Sequence, residues 1–357
     1  MLKGATMEHN LGVIGLGFMG SYHANNAGKV EGMHVRAVYD IREDRVQRGE
    51  EMGLLGYRTL DELLADEKID VVVIATPNLY HPELAVKCLE AGKHVICEKP
   101  CTMTLAEFDI IATTAERCQK LFTVHQNRRW DQDYLQVKKA VEAGDLGEVH
   151  MFESRIHGKN GRFLEWRDNK ELGGGIFLDW APHLVDQILQ IQQEKVVSVY
   201  AQMFKVVSNN VEDYAKLLLR FESGCGALIE AGTLCLCNGP RWVVHGNGGS
   251  MTIDGLAGKG QIIKDKAHLS DWNMDYIHTA QGPTRTMAPR PVETLEFMDL
   301  PSVEGKTDPL DFYRNLVEVL DGKAELIVQP AQVRRVMQII DAAFESDRTG
   351  QSLQVSI

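Results

Sequence analysis

Positive charge is what this chain has least of. Its 38 Lys and Arg stand against 50 Asp and Glu, for a net charge of −12. A nucleic-acid binder wants a basic face for phosphate, and so does a protein that lies on an anionic membrane, so the balance argues against both partners. Long apolar runs are missing too. No stretch approaches the roughly 18 apolar residues of a membrane-spanning helix, and residues 1–10 lack the apolar centre of a signal peptide. The seven cysteines are an odd number without paired metal-ligand spacing. Cys235 and Cys237 make only C-x-C, Cys97 and Cys101 flank another motif, and Cys225 stands beside glycine. They read as reduced, mostly buried thiols of a cytoplasmic protein, and no metal site is expected. Internal repeats and low-complexity linkers are absent as well. What remains is 357 residues, 44% hydrophobic and 25% charged. That is an ordinary globular composition, too long for one typical core, and it predicts two domains.

The stretch around which the chain is organised is Leu11-Gly12-Val13-Ile14-Gly15-Leu16-Gly17-Phe18-Met19-Gly20. An apolar run of strand type leads directly into G-x-G-x-x-G, which predicts a buried strand, a tight turn, and a helix N-terminus facing an anion. Gly15 makes the turn, Gly17 lets backbone approach a pyrophosphate, and Gly20 lets the helix pack on the strand. Glycine turns are common, so context decides. Helix-compatible sequence follows at 21–27, then a second strand at 35–39 ending in Asp40, twenty residues past Gly20, where a ribose-binding carboxylate belongs. Asp40 and Ile41 are thus expected against the adenosine half of a dinucleotide. A carboxylate accepts from ribose hydroxyls and repels a 2′-phosphate, which favours NAD over NADP, although Arg42 and Arg45 follow closely and could tolerate a phosphate.

Residues 1–9 read as a disordered leader. Beyond Asp40, helices are predicted at 42–52, 59–66, 82–91 and 104–119, and strands at 71–75, 94–97 and 121–124. The β-branched run Val71-Val72-Val73-Ile74 suits a central parallel strand buried on both faces. This alternation predicts a doubly wound parallel sheet over 10–125. From 126 to 357 the pattern changes. Helices are expected at 133–143, 179–192, 309–320 and 330–346. Strands are expected at 148–157, 196–204, 214–221, 226–236, 241–246 and 250–254, which suggests a mostly antiparallel sheet. A loop rich in charge and aromatics fills 158–172, and 272–303 reads as long loops with one edge strand.

Open α/β sheets bind ligands at the carboxyl ends of their strands. Besides the glycine turn and Asp40, two clusters fall there: Thr76-Pro77-Asn78 with His81, and Glu98-Lys99-Pro100. Any one alone has a bland reading, such as a turn cap for Asn78 or a helix start for His81. Repeated polar placement at one sheet edge is harder to ascribe to packing. A second constellation is Gly173-Gly174-Gly175 followed by Asp179 and His183, four apart and therefore on one helix face. Asp179 can be that helix's N-cap, which places Pro182 in the first turn. Whether the pair is only a cap and an incidental histidine, the residues alone leave open. His183 is the one whose ordinary pKa suits proton transfer near neutrality.

Together these motifs resemble the Gfo/Idh/MocA family of nicotinamide-dependent oxidoreductases over nearly the whole chain, the E-K-P tripeptide after a strand being the most telling. Asn127-Arg128-Arg129-Trp130-Asp131 looks like the subgroup holding inositol and sugar dehydrogenases. Where the family has Asp-x-Gly-x-His, this chain has Ala181 in the glycine place, small enough for the helix start to survive. The resemblance implies a Rossmann domain followed by an α+β domain with a large open, mostly antiparallel sheet that often forms a subunit interface, hence a homodimer or homotetramer. It implies Lys99, Asp179 and His183 as the catalytic set and a cis peptide before Pro100. Gly15, Gly17, Phe18, Met19, Gly20, Asp40, Ile41, Thr76, Pro77, Asn78, His81, Glu98, Lys99 and Asn127 would hold the cofactor. Arg128, Trp130, His157, Trp166 and Arg167 would line a pocket for a cyclic polyol or sugar, although His157 and Trp166 read equally as packing residues. In such a dehydrogenase His183 would take the hydroxyl proton and Lys99 would steady the alkoxide. The alternatives are an NAD-dependent glycoside hydrolase of the same fold and a non-enzymatic dinucleotide-binding sensor. The sensor is the weaker, because Lys99, Asp179 and His183 are all present.

Overall fold

A computed structural model describes residues 7–266, 276–284 and 290–357. The first sheet has six parallel strands: β1 (His9–Ile14), β2 (Met33–Tyr39), β3 (Leu55–Tyr57), β4 (Val71–Ile74), β5 (His94–Cys97) and β6 (Phe122–Val124). Their spatial order is β3-β2-β1-β4-β5-β6, so strands are added outward in opposite directions from β1 and β4, which opens a crevice above that switch point. Helices α1 (Phe18–Asn26), α2 (Glu43–Glu51), α3 (Leu60–Ala65), α4 (His81–Glu90) and α5 (Leu105–Cys118) connect the strands. Thr59 with Glu62, and Thr104 with Glu107, form reciprocal capping boxes that start α3 and α5. The leader expected over 1–9 does not include His9. Residues 1–6 lie outside the described residues, but His9 is already buried and paired with Met33 as the first residue of β1. The short connection after α2 holds β3, an edge strand of three residues, too brief to show a period.

The second sheet has nine strands in the order β16-β13-β12-β11-β7-β10-β9-β8-β17. They are β7 (Val149–His157), β8 (Val196–Phe204), β9 (Tyr214–Phe221), β10 (Gly226–Gly232), β11 (Trp242–Gly246), β12 (Gly249–Asp254), β13 (Lys259–Asp265), β16 (Leu295–Asp299) and β17 (Leu353–Gln354). Every pairing is antiparallel except β7 with β10. A separate hairpin joins β14 (Ile277–Thr279) to β15 (Gly282–Thr284). The edge strand expected within 272–303 is β16; Trp272 and the rest of 267–275, with 285–289, lie outside the described residues. Helices α6 (Gln132–Glu142), α7 (Ile176–Ile191), α8 (Asp311–Leu320) and α9 (Pro330–Thr349) complete the fold.

The two last helices return to the first sheet. The hydroxyl of Thr123 on β6 donates to the Val328 carbonyl, Arg334 of α9 forms a two-bond pair with Asp109 of α5, and Asp341 accepts from the Leu105 N–H that opens α5. One apolar core runs without a break from β1 through α7 to α9. At the joint between the sheets, Arg129 is buried and bonds both oxygens of Asp186 at 2.8 and 2.6 Å, together with the Ile327 carbonyl and Gln332.

Candidate active site

The glycine turn is built as its sequence requires. Gly15 has φ +89°, and a Cβ there would stand 2.9 Å from the Ala75 carbonyl oxygen. A methyl on Gly20 would collide with the Gly15 carbonyl oxygen, so only glycine lets α1 pass this close. Helix α1 begins at Phe18, three residues ahead of the expected start, with Gly17 as its N-cap. No side chain caps the helix and no acid occupies its first turn. Its free N–H groups and the dipole therefore present a site for an anion. Two large apolar side chains rim the same crevice, Phe18 at 85% and Ile41 at 87% exposure. A glycine cradle, uncapped N–H groups and exposed apolar side chains fit the pyrophosphate and rings of a dinucleotide.

Asp40 lies at the tip of β2 and is almost wholly buried. One oxygen accepts from the Leu16 N–H at 2.8 Å and the other from the Arg42 N–H at 2.9 Å, with Arg45 at 3.4 Å. Its first task is thus to hold the glycine turn, and its remaining lone pairs are what it can offer a ribose. Thr76 and Pro77 end β4. Asn78 is buried and donates to the Gly173 carbonyl at 2.8 Å, tying this strand end to the glycine run ahead of α7. His81 is fully buried, each ring nitrogen near a backbone carbonyl, Pro100 at 3.0 Å and Thr76 at 2.9 Å. Burial holds its pKa below the ordinary value. It bolts two strand-end loops together from behind the crevice.

Lys99 follows β5, and the Lys99–Pro100 peptide is cis. Its ammonium donates to the Asp179 backbone carbonyl at 2.7 Å and to Asp179 Oδ1 at 3.1 Å. Arg167 Nε reaches the same oxygen at 3.4 Å. Burial alone would raise the Asp179 carboxyl, but Lys99 and Arg167 prevail and hold it below the usual carboxylate range. Asp179 is not the helix cap that its sequence suggests. Helix α7 begins at Ile176, with Gly175 as N-cap, and Glu212 serves the first turn by accepting from the Ile176 and Phe177 N–H groups through its carbonyl and carboxylate. Ile176 and Phe177 are buried in the core, which rewards the earlier start, and Pro182 consequently lies inside the helix.

His183 stands one turn beyond Asp179 on the same face and is buried. Its Nδ1 lies 3.1 Å from Gln126 Oε1. The Gln126 amide nitrogen donates to the Pro182 carbonyl at 3.4 Å, so its oxygen is the end that meets the imidazole. His183 Nδ1 must then carry the proton, which leaves a lone pair on Nε2. Burial, followed by the charges of Lys99 and Arg128, holds this imidazole well below its ordinary pKa, in its neutral form. A neutral base beside a lysine ammonium can take a proton from a hydroxyl while the ammonium steadies the oxygen.

Around this pair, the Arg128 guanidinium lies 4.3 Å over the Trp180 ring, and Arg167 lies 4.8 Å over Trp166. Asn127 opens the 3-10 turn that carries Arg128. Two expected pocket residues are not brought here. By the pleat of β7, His157 shares a face with Glu153 and Arg155, opposite the face of Phe152 and Ser154 that α7 covers. The charges that act on it are Glu230, Arg155 and Lys216. Trp130 packs edge-on to Phe312 and lines a separate cleft with Tyr134, Lys138 and Lys306. Gln126, which sets the tautomer of His183, escaped the sequence reading; its only local sign is its place between a strand end and Asn127.

Known proteins share this fold. A family model described as "Oxidoreductase family, NAD-binding Rossmann fold" matches residues 9–126, and the GFO/IDH/MocA C-terminal domain matches 134–252. A scyllo-inositol 2-dehydrogenase (NADP(+)) of Bacillus subtilis is 27% identical over 99% of both chains. A myo-inositol 2-dehydrogenase of Thermotoga maritima is 31% identical over 71% of this chain and 75% of its own. The crystal structure of an NAD-binding protein from Listeria innocua superposes with a TM-score of 0.93 at 39% identity, covering 98% of this chain and 100% of that one.

Proposed function

The chain belongs to the Gfo/Idh/MocA family of NAD(P)-binding oxidoreductases, and from that premise we propose that it interconverts a secondary alcohol of a cyclic polyol or sugar with its ketone. The observation that carries this reading is the meeting of Lys99, Asp179 and the Nε2 lone pair of His183 at the carboxyl ends of β5 and β6. The bound nicotinamide supplies the acceptor or donor of the hydride. Lys99, Asp179 and His183 do the rest. His183 Nε2 takes the hydroxyl proton, Lys99 Nζ hydrogen-bonds the same oxygen and stabilises its developing charge, and Asp179 aims Lys99. Arg167 and Arg128, each stacked on a tryptophan, offer fixed donors to neighbouring hydroxyls. Phe18, Met19 and Gly20 would offer backbone N–H groups to the pyrophosphate, and Asp40 and Ile41 would hold the adenosine half.

A carboxylate at the tip of β2 supports NAD as the preferred cofactor, whereas the Bacillus relative is named for NADP. The inositol dehydrogenases among the relatives support an inositol as substrate. A second copy of the chain, over the uncovered face of the nine-stranded sheet, belongs to the same reading. The test is NADH or NADPH absorbance with each cofactor in turn against a panel of inositols and aldoses. Reduction of NAD by one stereochemical series is the expected outcome. A protein that binds dinucleotide but reduces none with any polyol or sugar would defeat the reading.

A further inference from the structure

Four buried polar side chains adjoin Lys99 and have no part in the chemistry above: His23 of α1, Glu98 at the end of β5, His125 at the end of β6, and Tyr313 of α8. Glu98 Oε1 lies 2.9 Å from His23 Nε2 and 2.9 Å from His125 Nδ1, and Glu98 Oε2 accepts from the Lys99 backbone N–H at 3.1 Å. An ionised carboxylate only accepts, so both histidines turn an N–H toward it. That leaves His23 Nδ1 with a lone pair, and the Tyr313 hydroxyl fills it at 2.5 Å. Burial opposes the charge on Glu98, yet His125 and His23 hold it well below the usual carboxylate range. A buried charge of this kind is seldom more stabilising than a well-packed apolar group, so stability alone does not explain it.

Chain order supplies a reason. Lys99 follows Glu98 directly, and Gln126 follows His125. In both pairs the first residue is tied into the buried knot, while the second reaches the reacting groups, Lys99 through Asp179 and Gln126 through His183. We propose that the Tyr313–His23–Glu98–His125 knot is a positioning device, in which Glu98 joins the ends of β5 and β6 and so sets Lys99 and the Gln126–His183 pair at the separation that one alcohol oxygen requires. This rests on the roles given above to Lys99 and His183. The knot draws on α1 and α8 as well: the helix that begins at the glycine turn holds the carboxylate through His23, and α8, from the far end of the chain, holds His23 through Tyr313. A metal centre is the other arrangement these atoms could make, since the three ligand atoms of His23, Glu98 and His125 lie within 4.8 Å of one another. Each of those atoms already has a hydrogen-bond partner, and all three side chains are closed to solvent.

The test is Glu98→Gln in the cofactor-loaded enzyme, with Tyr313→Phe and His125→Leu as companions that keep the question answerable should Glu98→Gln not fold. In folded Glu98→Gln, kcat should fall by about tenfold or more, the scale of a small misplacement of reacting groups. The alcohol KM and the NADH Kd should stay within about twofold, which separates a positioning loss from a binding loss. Tyr313→Phe and His125→Leu should lower kcat in the same direction. An unchanged kcat in the folded variants would overturn the proposal, as would a loss of dinucleotide affinity equal to the loss of kcat. One equivalent of divalent metal in the wild type, lost in His125→Leu, would overturn it too and make the cluster a metal site. Full turnover by Lys99→Ala would instead defeat the reading of Lys99 on which the proposal rests.

Discussion

At the scale of single residues, the chemistry turns on which nitrogen of His183 is bare. Gln126 decides it, because the amide end facing the Pro182 carbonyl must be the nitrogen. Lys99→Ala and His183→Ala should each lower turnover by roughly 10²–10⁴-fold, the usual worth of a positioned acid or base. NADH affinity, measured by its fluorescence, should stay close to wild type; a parallel loss of affinity would move both residues from the alcohol to the cofactor. Much at this scale was legible in the sequence. The four-residue spacing of Asp179 and His183 put them on one face whatever the helix start, and Glu98-Lys99-Pro100 stood out at a strand end. Gln126 was not legible, because its meaning depends on a residue 57 positions away. The place of His157 is illegible for a related reason. Strand alternation tells which residues share a face, but not which face the helices will cover.

Among elements, α1 carries the greatest constraint. Glycine at 15 and 20 lets the helix start against the carbonyl of its own turn, and Asp40 and Arg48 brace that turn from outside, Arg48 donating to the Leu16 carbonyl. Gly20→Ala must push α1 off β1. It should cost about 1–3 kcal/mol, in line with overpacking a tight core, and abolish dinucleotide binding; a thermal melt and NADH fluorescence would check both. The central strands of the first sheet are readable because buried parallel strands are continuous apolar runs, and two of its helices, α3 and α5, carry capping boxes. β3 and β17 are not, being edge pieces of three and two residues. β13 carries no strand signal of its own, because only Ile262 and Ile263 interrupt its polar sequence. The sequence points to a later start for α7 because Asp179 has the chemistry of a cap, whereas Glu212, which serves the first turn, arrives from a distant loop.

For the whole molecule, the nine-stranded sheet has unequal faces. One is covered by α7 and α9 and lies in the core. The other carries Glu153, Arg155, Lys216 and Glu230, linked through Arg155–Glu230 and Lys216–Glu230, with Leu218 exposed and both ring nitrogens of His157 buried without a partner. A light-scattering mass of two or four chains is the expected outcome, and a single-chain mass would remove a second copy from the proposed function. None of this was visible in local patterns, nor was the return of the last helices. Thr123 to Val328, Asp109 to Arg334 and Leu105 to Asp341 are bonds between segments more than two hundred residues apart. Those bonds bear on how such chains can be recombined. The first sheet and the helices that finish it are not contiguous in sequence, so a chimera spliced only after β6 would inherit a nucleotide fold with one flank bare. Helix α9 also packs on β8, and β17, which follows it, pairs with β8, so the last two helices cannot be moved with one sheet and without the other.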